Sequence, residues 1–232
     1  MAPMAALLLV AACGLTAAGG AILLLRAAQR RAALQHAFLA EGVALLEGGR
    51  IAPTPSGYGV LRGRWRSHEA ALTPIAEALA FRRLPQLWIV VTLKADAGLD
   101  AAFEALRRPT GAEFFAAGGG LPRAFAPPPD WPQDTALRGE PEAESALPRI
   151  AEALAPTLAE PRCKALLAGP SGVRLVWQAA QGRRGAYLLF RDLRFDMERL
   201  PAGEIEALLD RALGVAGAIR AASAGGDHAQ AA

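Results

Sequence analysis

The chain opens with a stretch of 22 residues, 4–25, that carries no charged side chain. A helix of that length rises about 33 Å, which is enough to cross the hydrocarbon core of a bilayer. The stretch therefore predicts a transmembrane anchor over residues 1–26. A cleaved signal peptide is one alternative, but it needs a basic N-terminal region. A lipoprotein signal ending at Cys13 is another, but the residues that follow Cys13 are apolar. Both comparisons favour the anchor.

The charges that flank this stretch predict its orientation. Arg26, Arg30 and Arg31 follow it closely, whereas no arginine or lysine precedes it. Because basic residues beside a membrane helix stay on the cytoplasmic side, we expect the N-terminus outside and the rest of the chain in the cytoplasm, at the inner membrane. Cysteine usage agrees, since Cys163 is the one cysteine beyond the stretch and no disulfide framework can form.

The basic residues of the chain are almost all arginine, with 23 Arg against 2 Lys and a net charge of +3. Together with the abundance of alanine, this ratio is typical of a GC-rich bacterial genome. A charge this small does not predict nucleic-acid binding, which needs a strongly basic, clustered surface. About 200 residues follow the anchor, enough for one domain with a full core or for two small ones.

The periodicity of those residues predicts an α+β fold, in which an antiparallel sheet carries helices on one face. Residues 27–49 are predicted to be a juxtamembrane helix that ends at Gly48 and Gly49. Strands are predicted at residues 57–66, 69–80, 87–93, 172–178 and 185–195, and helices at 99–108, 148–154, 161–167 and from Pro201 onward. In the second of these strands Pro74 lacks an amide donor, so part of that strand is expected at a sheet edge or as an irregular stretch.

Residues 50–222 are predicted to be one α+β domain, with a Gly- and Pro-rich loop at 111–142 and a disordered tail at 223–232. A weak internal repeat also allows two similar helix–hairpin halves, 50–110 and 143–222, joined by that loop. Two Leu-Leu pairs, at 45–46 and 166–167, each precede a Pro-Ser-Gly turn, at 55–57 and 170–172. The ordinary preference of Pro, Ser and Gly for turns explains the same repeat without a duplication of the sequence.

The sequence predicts no catalytic, metal or cofactor site. The three histidines and Cys163 have no spacing typical of metal ligands. Ser171 lies in a Pro-Ser-Gly turn and lacks the strand-to-helix setting of a nucleophile elbow. Cys163 is unaccompanied by a positioned base, so a packing role is the expected one.

The placement of the arginines is the one feature of the sequence that indicates a binding surface. Three arginines at alternate positions of the strand at 57–66 share one face, and a further pair follows the next strand. If these converge, they form a basic surface for an acidic partner or for anionic lipid headgroups. A solvated sheet face explains the same pattern more simply. With an aromatic residue of the Pro-rich loop, the candidate surface consists of Arg62, Arg64, Arg66, Arg82, Arg83 and Trp131.

These features predict a non-enzymatic, membrane-anchored accessory, assembly or scaffold protein. Its cytoplasmic domain would bind a protein partner at the membrane, with anionic lipid as a further contact and without cofactor or metal. One alternative is an exported envelope protein that binds a small molecule or cell-wall component, which requires the opposite topology or a cleaved signal peptide. The other is an enzyme without a recognisable motif, which would be supported by a deep pocket gathering Asp192, Asp196, Arg191 or His68.

Overall fold

The computed structural model describes residues 2–77, 84–111, 113, 115–116, 120–182 and 195–230, with side chains from residue 14 (without 15 and 17) up to 224. Within this part, nine strands form one antiparallel sheet in the order β1-β2-β3-β4-β9-β8-β5-β7-β6. The strands are β1 (Glu47–Ala52), β2 (Val60–Trp65), β3 (His68–Glu77), β4 (Gln86–Lys94), β5 (Phe103–Arg107), β6 (Arg123–Phe125), β7 (Thr135–Gly139), β8 (Cys163–Gly169) and β9 (Gly172–Gln181).

Helices cover one face of this sheet. Those described are α1 (Ala2–His36), α2 (Leu147–Ala159) and α3 (Ala202–Gln230), with two 3-10 segments at Ala40–Leu45 and Pro141–Ser145. Helices α2 and α3 pack on each other, α2 over β8 and α3 over β4 and β9. We call the covered side the helix face and the opposite side the open face. The predicted antiparallel sheet with packed helices is confirmed.

The structure corrects the predicted transmembrane anchor. Among the described residues, no helix combines the length and the apolar character needed to cross a membrane. The anchor at residues 1–26, the single-pass inner-membrane placement and the inferred orientation are therefore not supported.

Two predicted helices are strands in the structure. Residues 99–108 contain β5, and residues 161–167 contain most of β8; the two strands pair with each other. Both strands lie inside the sheet, so their residues are buried on both faces. The sequence of such an interior strand is a continuous apolar run without alternation. Alanine and leucine in such a run favour a helix locally, and sheet pairing overrides that preference.

Strands with clear alternation were predicted correctly. In β2, Leu61 and Trp65 are buried while Arg62 and Arg64 point to the open face. Strand β4 lies inside the sheet between β3 and β9, as the apolar run at 87–93 predicted. Helices α2 and α3 are confirmed as well, and α3 continues to Gln230, through residues predicted to be a disordered tail.

Pro74 lies where the sheet allows it. It pairs with Ile89 of β4, while on its other side β2 begins at Val60, one position short of it in register. At Pro74 the strand is locally an edge, as predicted, because no described strand needs the missing amide on that side.

The two predicted halves share one sheet. Strand β5, from the first half, pairs with β8 of the second half and with β7 of the predicted loop, and β4 pairs with β9. The predicted loop at 111–142 contains β6 and β7. The Pro-Ser-Gly sequences lie in the connections β1–β2 and β8–β9, so both are hairpin turns. Of the predicted strand at 185–195, the described part is the bridge between Gly182 and Phe195; residues 185–194 lie outside the described residues.

Candidate functional site

A shallow groove lies on the open face where β1, β2, β3 and β4 run side by side. Its volume is about 530 Å³. Four cations and two carboxylates line it, so its net charge is positive. We call it the arginine groove and define it by Arg50, Arg62, Arg64, Ala71, Thr92 and Lys94.

Two arginines of the groove face each other without a counter-ion. Arg50 of β1 and Arg62 of β2 are directly opposite in the antiparallel ladder. Both are exposed, and neither side chain hydrogen-bonds or ion-pairs with another residue in the described part of the chain. Like charges in directly opposed positions destabilise a sheet. An anion placed between them would remove this repulsion.

The other two cations of the groove already have partners. Lys94 and Glu69 form an exposed salt bridge of 2.6 Å, and the Arg64 guanidinium donates a hydrogen bond to the Ser67 carbonyl at 2.8 Å. The hydrogen bond and the charge of Lys94 hold the pKa of Glu69 below its usual value, with a smaller contribution from Arg64. The free positive charge of the groove is thus concentrated at Arg50 and Arg62.

The structure separates the arginines that the sequence grouped. Arg62 and Arg64 lie in the groove, but Arg66 does not. Strand β2 ends at Trp65, and Arg66 has a positive φ of 45° in the turn to β3. Its guanidinium lies over the Trp65 ring and binds Asp210 of α3 at 3.1 Å. Arg66 therefore belongs to the helix face, and the alternation assumed for it stops one residue earlier.

Three other predicted site residues lie away from the groove or outside the described residues. Arg82 and Arg83 are among the residues that the structure does not describe. Trp131 is 3 % exposed and belongs to the core of the helix face. Its indole Nε1–H donates a hydrogen bond to the Ala151 carbonyl of α2 at 2.9 Å. The Pro-rich loop is thereby fixed to α2.

The groove contains one residue that sequence reasoning missed. Arg50 follows Gly48 and Gly49, which were interpreted as the end of a helix and not as the start of a strand. A bulge between Glu47 and Arg50 accommodates Gly48, whose φ of 63° suits glycine. The alternation of β1 is broken by this bulge, so no periodic signal points to Arg50.

The nucleophiles considered in the sequence are not activated in the structure. Cys163 is fully buried, and burial raises the pKa of its thiol to about 11, against the opposing charges of Arg107 and Arg108. Ser171 lies in the tight turn between β8 and β9. Among the described residues, no group of three or more His, Cys, Asp and Glu side chains could hold a metal ion.

The acid and histidine of the enzyme alternative lie in different places. His68 starts β3 opposite Trp65, beside the turn from β2. Asp196 lines a cavity of about 420 Å³ next to the C-terminal part of α1, together with Arg30 and Arg31. Asp192 and Arg191 lie outside the described residues.

A buried ion pair lies on the open face beyond the groove. Lys164 of β8 and Glu113 are 6 % and 4 % exposed, and their charged atoms are 3.0 Å apart. The Lys164 ammonium also donates hydrogen bonds to the carbonyls of Arg107 and Arg108, at 2.9 and 2.6 Å. All three of its donors are used. The pair fixes the segment after β5 against the sheet.

The carboxylate of this pair is held ionised. Burial opposes its ionisation, but hydrogen bonds from Thr110 and Lys164 and the charge of Lys164 outweigh burial and lower the pKa of Glu113 from 4.5 to about 2. Burial lowers the pKa of Lys164, and Glu113 partly restores it. With every donor engaged, the pair has no free position for proton transfer, and its role is structural.

The Glu113 pKa predicts how stability changes in acid. Since the folded-state value lies below the unfolded one, the stabilisation is complete above about pH 4.5 and is lost as the pH falls towards about 2. The free energy of unfolding, measured by urea titration over this range, is expected to fall more steeply for the wild type than for Glu113→Gln. Parallel pH profiles would contradict this.

A second polar cluster connects β9 to the start of α3. The Trp177 ring lies between two guanidinium groups, Arg211 at 4.5 Å and Arg162 at 5.8 Å. Arg162 also binds Glu204 of α3 at 3.3 Å. The adjoining cavity is about 230 Å³. These contacts pack the helix onto the sheet through cation–π and ionic interactions.

No protein-family model, curated protein or solved structure matches this chain. The function is therefore argued from the geometry and charge of the groove.

Proposed function

We propose that this chain is a non-enzymatic binding domain whose arginine groove binds an acidic segment of a protein partner. The opposed pair Arg50 and Arg62 carries the proposal, because two exposed guanidinium groups face each other without a counter-ion. Such a pair costs folding free energy in the unbound protein. A carboxylate between the two converts the repulsion into two ion pairs.

The shape of the groove supports an extended partner over a small substrate. A small-molecule site is usually a deep, mostly apolar cavity that buries most of its ligand. The arginine groove is open and charged, and its floor consists of Ala71 and Thr92. Charge complementarity on such a surface gives specificity and fast association.

The unusual ionisable groups support a non-enzymatic role. The Cys163 thiol is protonated at neutral pH, and the Lys164–Glu113 pair is saturated with hydrogen bonds. Both contribute to the packing of β8 against its neighbours. Neither lies in the groove.

Removing the two opposed arginines is expected to weaken binding of an acidic peptide. The probe is a fluorescein-labelled ten-residue glutamate-rich peptide, compared by fluorescence anisotropy with its glutamine counterpart. Each exposed ion pair contributes up to about 1 kcal/mol, so Arg50→Gln/Arg62→Gln is expected to lower affinity about tenfold. The variant should be at least as stable as the wild type, because the repulsion is gone.

The matched control removes the same charge elsewhere. Arg26→Gln/Arg199→Gln changes two exposed arginines outside the groove and is expected to leave affinity unchanged. An equal loss of affinity in both double variants would show that binding depends only on net charge, and this would overturn the proposal. So would equal binding of the glutamate and glutamine peptides. Phosphatidylserine vesicles are tested in parallel, and vesicle binding that depends on Arg50 and Arg62 without peptide binding would favour a lipid ligand instead.

A further inference from the structure

A row of directly opposed residues crosses the open face from the edge strand to the middle of the sheet. Each member faces the next across one antiparallel pairing. In order, the row contains Arg50, Arg62, Ala71, Thr92 and Arg174. Because opposed residues share a face, all five side chains point to the open side.

Arg174 is the third unpaired cation of this row. It is half-buried in β9 between the buried Val173 and Leu175, and it makes no ion pair or hydrogen bond with another residue in the described ranges. The path from Arg62 to Arg174 passes over Ala71 and Thr92, which are too short to obstruct a chain lying on the sheet.

The row has a defined positive end. Beyond Arg174 the next opposed residues are Leu167 and then Glu104, which is buried. Neither of them offers a cation on the surface, so the first run of cations along the row extends from Arg50 to Arg174.

The spacing of the three arginines fits an extended chain. Neighbouring strands lie about 4.8 Å apart, so Arg50 and Arg62 are close enough for one carboxylate to contact both. Arg62 and Arg174 are three strands apart, about 14 Å. An extended chain advances about 3.4 Å per residue and covers this distance in four residues. A helix would need about nine residues for the same span.

We infer that the arginine groove binds its acidic partner as an extended segment lying across the strands, with carboxylates at positions i and i+4. The first carboxylate lies at Arg62, within reach of Arg50, and the second contacts Arg174. The inference rests on the proposed function and adds the conformation of the partner, its spacing and a third binding residue.

Peptide spacing and Arg174 are tested together. Three fluorescein-labelled peptides of equal composition carry two glutamates at i and i+1, at i and i+4, or at i and i+8, with proline between them or beside them to prevent a helix. The i, i+4 peptide is expected to bind three- to tenfold more tightly than the other two. Arg174→Gln is expected to remove this preference and to leave the i, i+1 peptide unaffected.

The control is Arg138, an exposed arginine of β7 that lies in the same row beyond Glu104. Its guanidinium already binds the Leu121 carbonyl at 3.1 and 2.9 Å, so Arg138→Gln should leave the spacing preference intact. Equal affinity for the three spacings, or equal effects of the two variants, would overturn the inference. If Arg50→Gln/Arg62→Gln still weakens binding in that case, the proposed function stands. If the wild type does not distinguish glutamate from glutamine peptides, both the proposed function and this inference are wrong.

Discussion

Replacing Lys164 with methionine is expected to lower the free energy of unfolding by about 3–5 kcal/mol, because the change leaves a buried carboxylate without its cation. Glu113 is 4 % exposed, and its charge is balanced by Lys164 at 3.0 Å. Two backbone carbonyls, of Arg107 and Arg108, lose a donor at the same time. Urea unfolding at pH 7, with the midpoint and slope compared to the wild type, measures the loss.

The second lysine of the chain is a matched control. Lys94 also pairs with a glutamate, Glu69 at 2.6 Å, but both side chains are 66 % exposed. Lys94→Met is therefore expected to leave the urea midpoint close to that of the wild type. The double variant Lys164→Met/Glu113→Gln is expected to regain part of the loss, because no buried charge is left. Equal effects of the two lysine substitutions would show that Lys164 is not a buried structural charge.

The Lys164–Glu113 pair also determines which part of the open face is exposed to solvent. It holds the segment after β5 on the sheet, where Phe115 packs against Trp88 with their ring centres 5.6 Å apart. Trp88, Val90, Phe115, Ala165 and Val176 form a small apolar cluster there. The open face is thus covered at this cluster and exposed at the arginine groove. The proposed binding is therefore restricted to the charged part of the sheet.

The sequence predicted those elements whose pattern is local. Leu61 and Trp65 in β2 alternate with arginines, and the apolar side of α3 repeats at helical spacing. Strands β5 and β8 could not be recognised in this way, because their burial on both faces removes the alternation. Whether Phe103 or Leu166 lies on a strand or a helix depends on partners that are distant in the sequence.

The site was only partly visible for the same reason. The alternation of apolar and basic residues identified Arg62 and Arg64. Arg66 continues the same alternation in the sequence, so the sequence gives no sign that the strand ends at Trp65 and that Arg66 lies in the turn. Arg50 and Arg174 belong to the proposed binding row only through the order of strands in the sheet. That order joins residues more than 100 positions apart, which no periodic signal could reveal.

Replacing Trp131 with alanine is expected to cost about 3–5 kcal/mol of unfolding free energy, because a large aromatic side chain is removed from the core. Trp131 is 3 % exposed and packs on the helix face, away from the arginine groove. Its hydrogen bond to Ala151 ties the Pro-rich loop to α2. The loss is measured by urea unfolding.

The phenylalanine variant separates this structural role from the exposed recognition role that the sequence favoured. Trp131→Phe keeps most of the ring but leaves the Ala151 carbonyl without the indole donor, which is expected to cost about 1–2 kcal/mol. Because the groove is on the other face of the sheet, the folded variant should bind the glutamate-rich peptide like the wild type. Loss of peptide binding at unchanged stability would place Trp131 in the binding surface. Loss of stability at unchanged affinity would make the loop part of the scaffold and leave recognition to the arginines of the open face.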